Sequence, residues 1–157
     1  MAFTLMSGSD QNSSEIGAFM ASVLEPGDVL CLEGPLGTGK TVLVRGLARG
    51  RGYGGPVPSP TFTIINPYPE IGLCHVDAFR LSGPEELIEA GIEEYLDGDW
   101  VCAVEWAQRV RGALPSRALE VSLAFGDRDD DRLISVAPAG QWDGRWLMIE
   151  TELGRYA

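Results

Sequence analysis

Lysine is all but missing from this chain: there is one among 157 residues, Lys40, against eleven arginines. Histidine is as scarce, with His75 alone, and the three cysteines Cys31, Cys74 and Cys102 include no C-x-x-C pair. One histidine and scattered thiols do not make the clustered ligand set of a zinc site. Each cysteine sits in a short apolar run and their number is odd, which predicts reduced core thiols in a cytoplasmic protein rather than a disulfide framework. No apolar stretch approaches the roughly 20 residues that cross a bilayer. The first seven residues lack the basic cluster and long apolar centre of an export signal, so neither membrane insertion nor export is expected. Positive charge is short as well. With 23 acidic residues against 12 basic ones the net charge is −11, which repels phosphate backbones and argues against independent binding of RNA or DNA. No internal repeat or low-complexity linker is present, and the length fits a single domain over 1–157.

What is present centres on that lysine. It lies in Gly34-Pro35-Leu36-Gly37-Thr38-Gly39-Lys40-Thr41, followed by Val42, and the run matches G-x-x-x-x-G-K-[ST]. A cradle of backbone N–H groups at a helix N-terminus has room for a compact ammonium but not for a broad guanidinium. Residues 28–33 read as a buried strand and 40–49 as a helix closed by Gly50, the context such a loop requires. The motif therefore predicts a nucleoside triphosphate site, with Lys40 against the β- and γ-phosphates and the Thr41 hydroxyl at one Mg²⁺ position. Magnesium shared with phosphates also takes a carboxylate. Two apolar strands end in one, Cys74-His75-Val76-Asp77 and Val101-Cys102-Ala103-Val104-Glu105. Ligands of open α/β sheets lie beyond the carboxyl ends of the strands, which brings Asp77 and Glu105 within reach. Each acid taken alone could instead cap a turn. Thr61, after the glycine-rich stretch, is either a γ-phosphate sensor or a plain strand-start threonine. Trp106 either stacks on a base or packs in the core.

The remaining chain supplies the frame. Ile16, Phe19, Met20, Val23 and Leu24 predict a helix over about 10–24, capped by Ser or Asp. Residues 50–60 hold four glycines and three prolines and predict a mobile loop. Strands are predicted over 61–65 and 72–76, joined by a turn at Asn66-Pro67-Tyr68-Pro69. A capping box at Ser82-Gly83-Pro84-Glu85 opens a helical stretch over 84–96, whose glutamates are either a solvated face or a docking surface. Residues 119–125 and 132–136 form an antiparallel hairpin around an acidic turn at 126–131, and residues 142–156 fit either a strand or a short helix. Together these predict a three-layer α/β sandwich of the P-loop kind, mostly parallel at its centre with antiparallel additions.

Beyond the loop, Ser59-Pro60-Thr61-Phe62-Thr63, His75-Val76-Asp77-Ala78-Phe79-Arg80-Leu81, Pro84-Glu85-Glu86-Leu87 and Val104-Glu105-Trp106 follow in this order. With these motifs the chain resembles the TsaE (YjeE) family over about residues 5–138. The resemblance implies a P-loop ATPase of the complex that makes N6-threonylcarbamoyladenosine at position 37 of tRNAs. It further implies that TsaD and TsaB are partners, that tRNA is met only through the complex, and that ATP turnover is weak until partners complete the site. Thr41 and Glu105 would hold Mg²⁺, Asp77 would organise the attacking water or the metal shell, and Thr61 would belong to a switch-like segment. Trp106, Arg132 and Ser13 would lie beside the nucleotide, ATP or ADP. The chain departs from the family at Pro35, where relatives usually carry Asp, and its tail at 141–157 has no assignment. A small-molecule kinase and a nucleotide-gated interaction module are the alternatives. A guanine-specific N-K-x-D motif would need a second lysine.

Overall fold

Period-two alternation within the apolar runs decides the layering. In β2 (Val29–Glu33), Leu30 and Leu32 enter one core, whereas Val29 and Cys31 enter another. In β5 (Val101–Glu105) the same split separates Val101 and Ala103 from Cys102 and Val104. Strands buried on both faces need cover above and below. The computed structural model, which describes residues 2–58 and 63–156, has that cover. Helices α1 (Asp10–Ala21), α2 (Lys40–Gly50) and α4 (Arg145–Tyr156) contribute to the first core. Helix α3 (Pro84–Glu89) and short 3-10 turns contribute Leu87, Ile92, Ala107 and Val110 to the second.

The remaining strands are β1 (Phe3–Ser7), β3 (Ile65–Tyr68), β4 (Leu73–Asp77), β6 (Ala118–Phe125) and β7 (Arg132–Ala139). They form one sheet in the order β1-β7-β6-β2-β5-β4-β3. The four central strands, β6 to β4, are parallel, and the pairs β1–β7, β7–β6 and β3–β4 are antiparallel. This is the expected α/β sandwich with a mostly parallel centre. Helix α1 starts at Ser9, whose hydroxyl accepts the Asn12 N–H at 3.0 Å. It packs on α2 so closely that a Cβ on Gly46 would sit 1.9 Å from the Ser14 carbonyl oxygen. Gly50 belongs to the same contact: it is the last residue of α2, and a Cβ there would lie 2.5 Å from the Ala18 carbonyl oxygen. Its smallness thus serves packing, beyond the helix-ending role expected for it.

Several local expectations change. Residues 66–68 of the expected turn at 66–69 belong instead to strand β3, and Pro67 is tolerated because β3 is the edge strand among the described residues. The turn falls later, at Pro69–Ile71. The helix expected over 84–96 breaks after Glu89, where Gly91 (φ 98°) reverses the backbone, and resumes as a 3-10 turn at Ile92–Tyr95. Its box is displaced by one residue: Glu86, not Glu85, accepts the Ser82 N–H at 3.0 Å. The stretch after α2 has no regular element, yet it is pinned in three places as far as Pro58. Arg51 Nε donates to the Ile71 carbonyl at 2.8 Å, the Tyr53 ring meets Tyr68 at 4.9 Å, and Arg45 Nε donates to the Val57 carbonyl at 2.8 Å. The tail is helical, with Trp146, Ile149 and Leu153 buried. Asp28 clasps it: this carboxylate, 1% exposed, accepts from both terminal nitrogens of Arg145 at 2.8 and 2.9 Å and from Arg117 at 3.2 Å.

Candidate active site at the loop between β2 and α2

The loop leaves β2 through Gly34, where φ is 149° and a Cβ would meet the Leu123 carbonyl oxygen at 2.5 Å. Pro35 has no N–H to offer, but its carbonyl organises the turn, accepting the Thr38 N–H at 3.3 Å and the Thr38 hydroxyl at 2.7 Å. Gly39 then enters α2 in the left-handed conformation (φ 96°) and supplies no side-chain cap. The first-turn N–H groups of α2 have no intrahelical acceptor, an arrangement suited to an anion. Lys40 folds over it. Its ammonium, largely buried, donates to the carbonyls of Gly34 at 2.5 Å and Pro35 at 3.1 Å and stands 4.3 Å from the centre of the Trp106 ring. Burial pushes the Lys40 pKa below its ordinary value, and the charges of Glu105 and Asp77 oppose that shift.

The acids reach the helix by strand periodicity. Leu73 and Val101 face the core that holds α2, so His75, Asp77 and Glu105, an even number of positions further on, share that face. Register aligns Asp77 with Glu105, and His75 with Ala103. Glu105, 3% exposed, accepts from the Thr41 hydroxyl, with 2.9 and 3.1 Å to its two oxygens. Its Oε2 also lies 2.5 Å from His75 Nε2. Asp77 accepts the Phe79 N–H at 2.9 Å, so it caps the following turn while lying beside Glu105 at the cleft.

A cleft of about 430 Å³ joins these groups, within the range of small-molecule sites. Lys40, Thr41, Val42, Asp77, Glu105 and Trp106 line it. Trp106 takes the left-handed conformation (φ 58°) and is at once half-buried against the second core and open to the cleft. Its ring centre lies 5.0 Å from that of Phe79, and Arg109 stacks on both rings while donating to the Phe79 carbonyl. Arg132 lines the opposite wall, one terminal nitrogen 3.4 Å from the Gly37 carbonyl oxygen. Ser13 is elsewhere: it is buried, its hydroxyl 2.7 Å from that of Ser7, and Asp10, one turn earlier, lines the cleft. Thr61 lies outside the described residues.

Sequence reading placed neither His75 nor Asp10 in the site, and offered Asp only as a cap for the first helix. For His75 a signal existed, a polar side chain in step with Asp77 along an otherwise apolar strand. For Asp10 there was none, because only the tertiary fold brings the start of α1 to the loop.

A family described as "Threonylcarbamoyl adenosine biosynthesis protein TsaE" matches residues 7–134. The tRNA threonylcarbamoyladenosine biosynthesis protein TsaE of Bacillus subtilis is 38% identical over 148 residues, covering 93% of this chain and 90% of that one. The protein of the same name from Streptomyces coelicolor is 40% identical over 147 residues, covering 88% and 97%. The crystal structure of Bacillus subtilis YdiB superposes with a TM-score of 0.82 at 32% identity, covering 99% of this chain and 96% of that one.

Proposed function

The chain belongs to the TsaE family, and from that premise we propose that it is a Mg²⁺-dependent ATPase serving tRNA threonylcarbamoyladenosine synthesis as an accessory to TsaD and TsaB. The observation that carries the reading is the meeting of Thr41 and Glu105 at the first turn of α2, on the same cleft as Lys40, whose charge interacts with that of Glu105. Backbone N–H groups of the loop would receive the phosphates, and the donors Lys40 now spends on Gly34 and Pro35 are available to phosphate oxygens. Thr41, Glu105 and Asp77 offer the hard oxygen donors that suit Mg²⁺. Among the described residues no group of three or more His, Cys, Asp or Glu could hold an ion alone, which fits an ion that takes its other ligands from phosphate and water. Bound there, it would neutralise charge developing on the phosphates. Of this chain's own groups, Glu105 and Asp77 orient the water, Lys40 balances phosphate charge, and Trp106 shields one side of the cleft.

Two features support completion by partners. Leu36 at the loop tip and Phe79 beside the cleft are 74% and 37% exposed, apolar groups suited to a protein surface closing over the mouth. The net charge of −11 leaves tRNA contact to the partners. Arg109 is held on Phe79 and Trp106, which argues against its serving as the mobile lid of a small-molecule kinase. No helix among the described residues is long and apolar enough to cross a membrane.

ATP turnover with and without TsaD–TsaB tests the reading. The expected result is stimulation by the complex and, in Glu105→Gln, a loss of about 100-fold in turnover with nucleotide still bound. Absence of turnover in both conditions overturns it.

A further inference from the structure

His75 is the only histidine in the chain and is completely buried. Its Nε2 lies 2.5 Å from Glu105 Oε2, and among the described residues its Nδ1 meets no hydrogen-bond partner. For packing alone this is a poor choice. Leu73, two positions earlier on the same face of β4, fills the same layer with no polar atom to satisfy, and burying an unpartnered ring nitrogen disfavours the fold. What the imidazole supplies and a leucine would not is a donor aimed at a buried carboxylate. Glu105 has two oxygens in reach of a single Thr41 hydroxyl, whose one proton leaves the carboxylate free to turn. A carboxylate only accepts, so the contact places the imidazole proton on Nε2. With that second donor the plane of Glu105 is fixed from the strand side as well as the helix side.

We propose that His75 is a positioning residue that fixes the Glu105 carboxylate against Thr41, so that its donor sets the rate of ATP turnover and not the affinity for nucleotide. The inference rests on the ATPase reading above. The loop N–H groups and Lys40, which would receive the phosphates, make no hydrogen bond to His75. Orientation of Glu105 matters in the reacting complex, where a small displacement of an aligned group is costly.

Two variants separate a donor from a space-filler. His75→Leu keeps most of the volume and removes the donor; His75→Gln places an amide N–H near the position of Nε2. Steady-state hydrolysis with TsaD–TsaB, with circular dichroism confirming the fold, is expected to show kcat down at least about tenfold in His75→Leu, KM for ATP within about threefold, and most of the rate restored in His75→Gln. The proposal is overturned if folded His75→Leu turns over like the parent chain, or if both variants are equally slow. If the parent chain binds ATP but never hydrolyses it, the ATPase reading fails, a different result from either. A second measurement needs no turnover. With a single histidine, the ¹⁵N spectrum of the imidazole contains one pair of ring signals. The proton is expected on Nε2, with that signal shifting in Glu105→Ala; a proton on Nδ1 with a bare Nε2 overturns the proposal.

Discussion

Replacing Asp28 by alanine tests whether the C-terminal helix is held to the sheet by charge. Asp28 immediately precedes β2 and is 1% exposed. It accepts from Arg145 through both terminal nitrogens, from Arg117, and from the Glu25 N–H at 2.8 Å. Removing one partner of a buried ion pair costs about 3–5 kcal/mol, because the other charge stays behind without compensation. Here the residual charges have outlets. Arg145 still reaches the Val23 carbonyl at 3.1 Å and the Glu25 carboxylate at 3.3 Å, and the Arg117 side chain is 36% exposed. The low end of the range therefore applies, about 3 kcal/mol. For a chain of this length each kcal/mol moves Tm by about 2–4 °C, which gives an expected fall of about 6–12 °C in thermal unfolding followed by circular dichroism. A double-mutant cycle of Asp28→Ala with Arg145→Ala should give a coupling above about 1 kcal/mol. A Tm within about 2 °C of the parent chain, or additive single effects, refutes the reasoning and leaves Trp146, Ile149 and Leu153 as the anchors of α4.

Gly46→Ala should destabilise by more than about 3 kcal/mol in urea unfolding, because the new Cβ would lie 1.9 Å from the backbone oxygen of Ser14, and backbone does not yield as a side chain does. A loss under about 1 kcal/mol would show that α1 and α2 can separate without penalty. Alkaline stability should depend on Cys31, whose thiol burial pushes up to about 11 from 9.0, with Arg111 opposing. The unfolded chain releases this proton first, so stability is intact below pH 9 and falls as pH rises to 11, by about 3 kcal/mol for a shift of that size. Denaturant unfolding at pH 8 and 11 should show a smaller drop in Cys31→Ala, and equal drops in both proteins exclude the thiol as the cause.

Elements whose signals are local were legible in the sequence. Strand β2, the glycine loop and α2 follow one another with their motif, and the hairpin of β6 and β7 announces itself by its acidic turn. What was not legible depends on neighbours. Pro67 argues against a strand until β3 is known to be an edge, and whether 84–96 is one helix or two depends on the backbone at Gly91. Strand β1 was missed because Met6, 66% exposed, sits where alternation calls for a polar residue. The tail was undecided because the i, i+3, i+7 spacing of Trp146, Ile149 and Leu153 covers only two turns, too little to exclude a strand without a partner in view.

The candidate site divides along the same line. That Asp77 and Glu105 approach α2 follows from two rules visible in one dimension: side chains alternate along strands, and ligands gather at the carboxyl ends of parallel ones. That Glu105 sits between a hydroxyl from α2 and an imidazole from β4 does not, because it needs the register that pairs His75 with Ala103. Replacing the imidazole, as in His75→Leu, removes that contact. The carboxylate would then face the hydroxyl alone, from inside a core where a second donor is worth most.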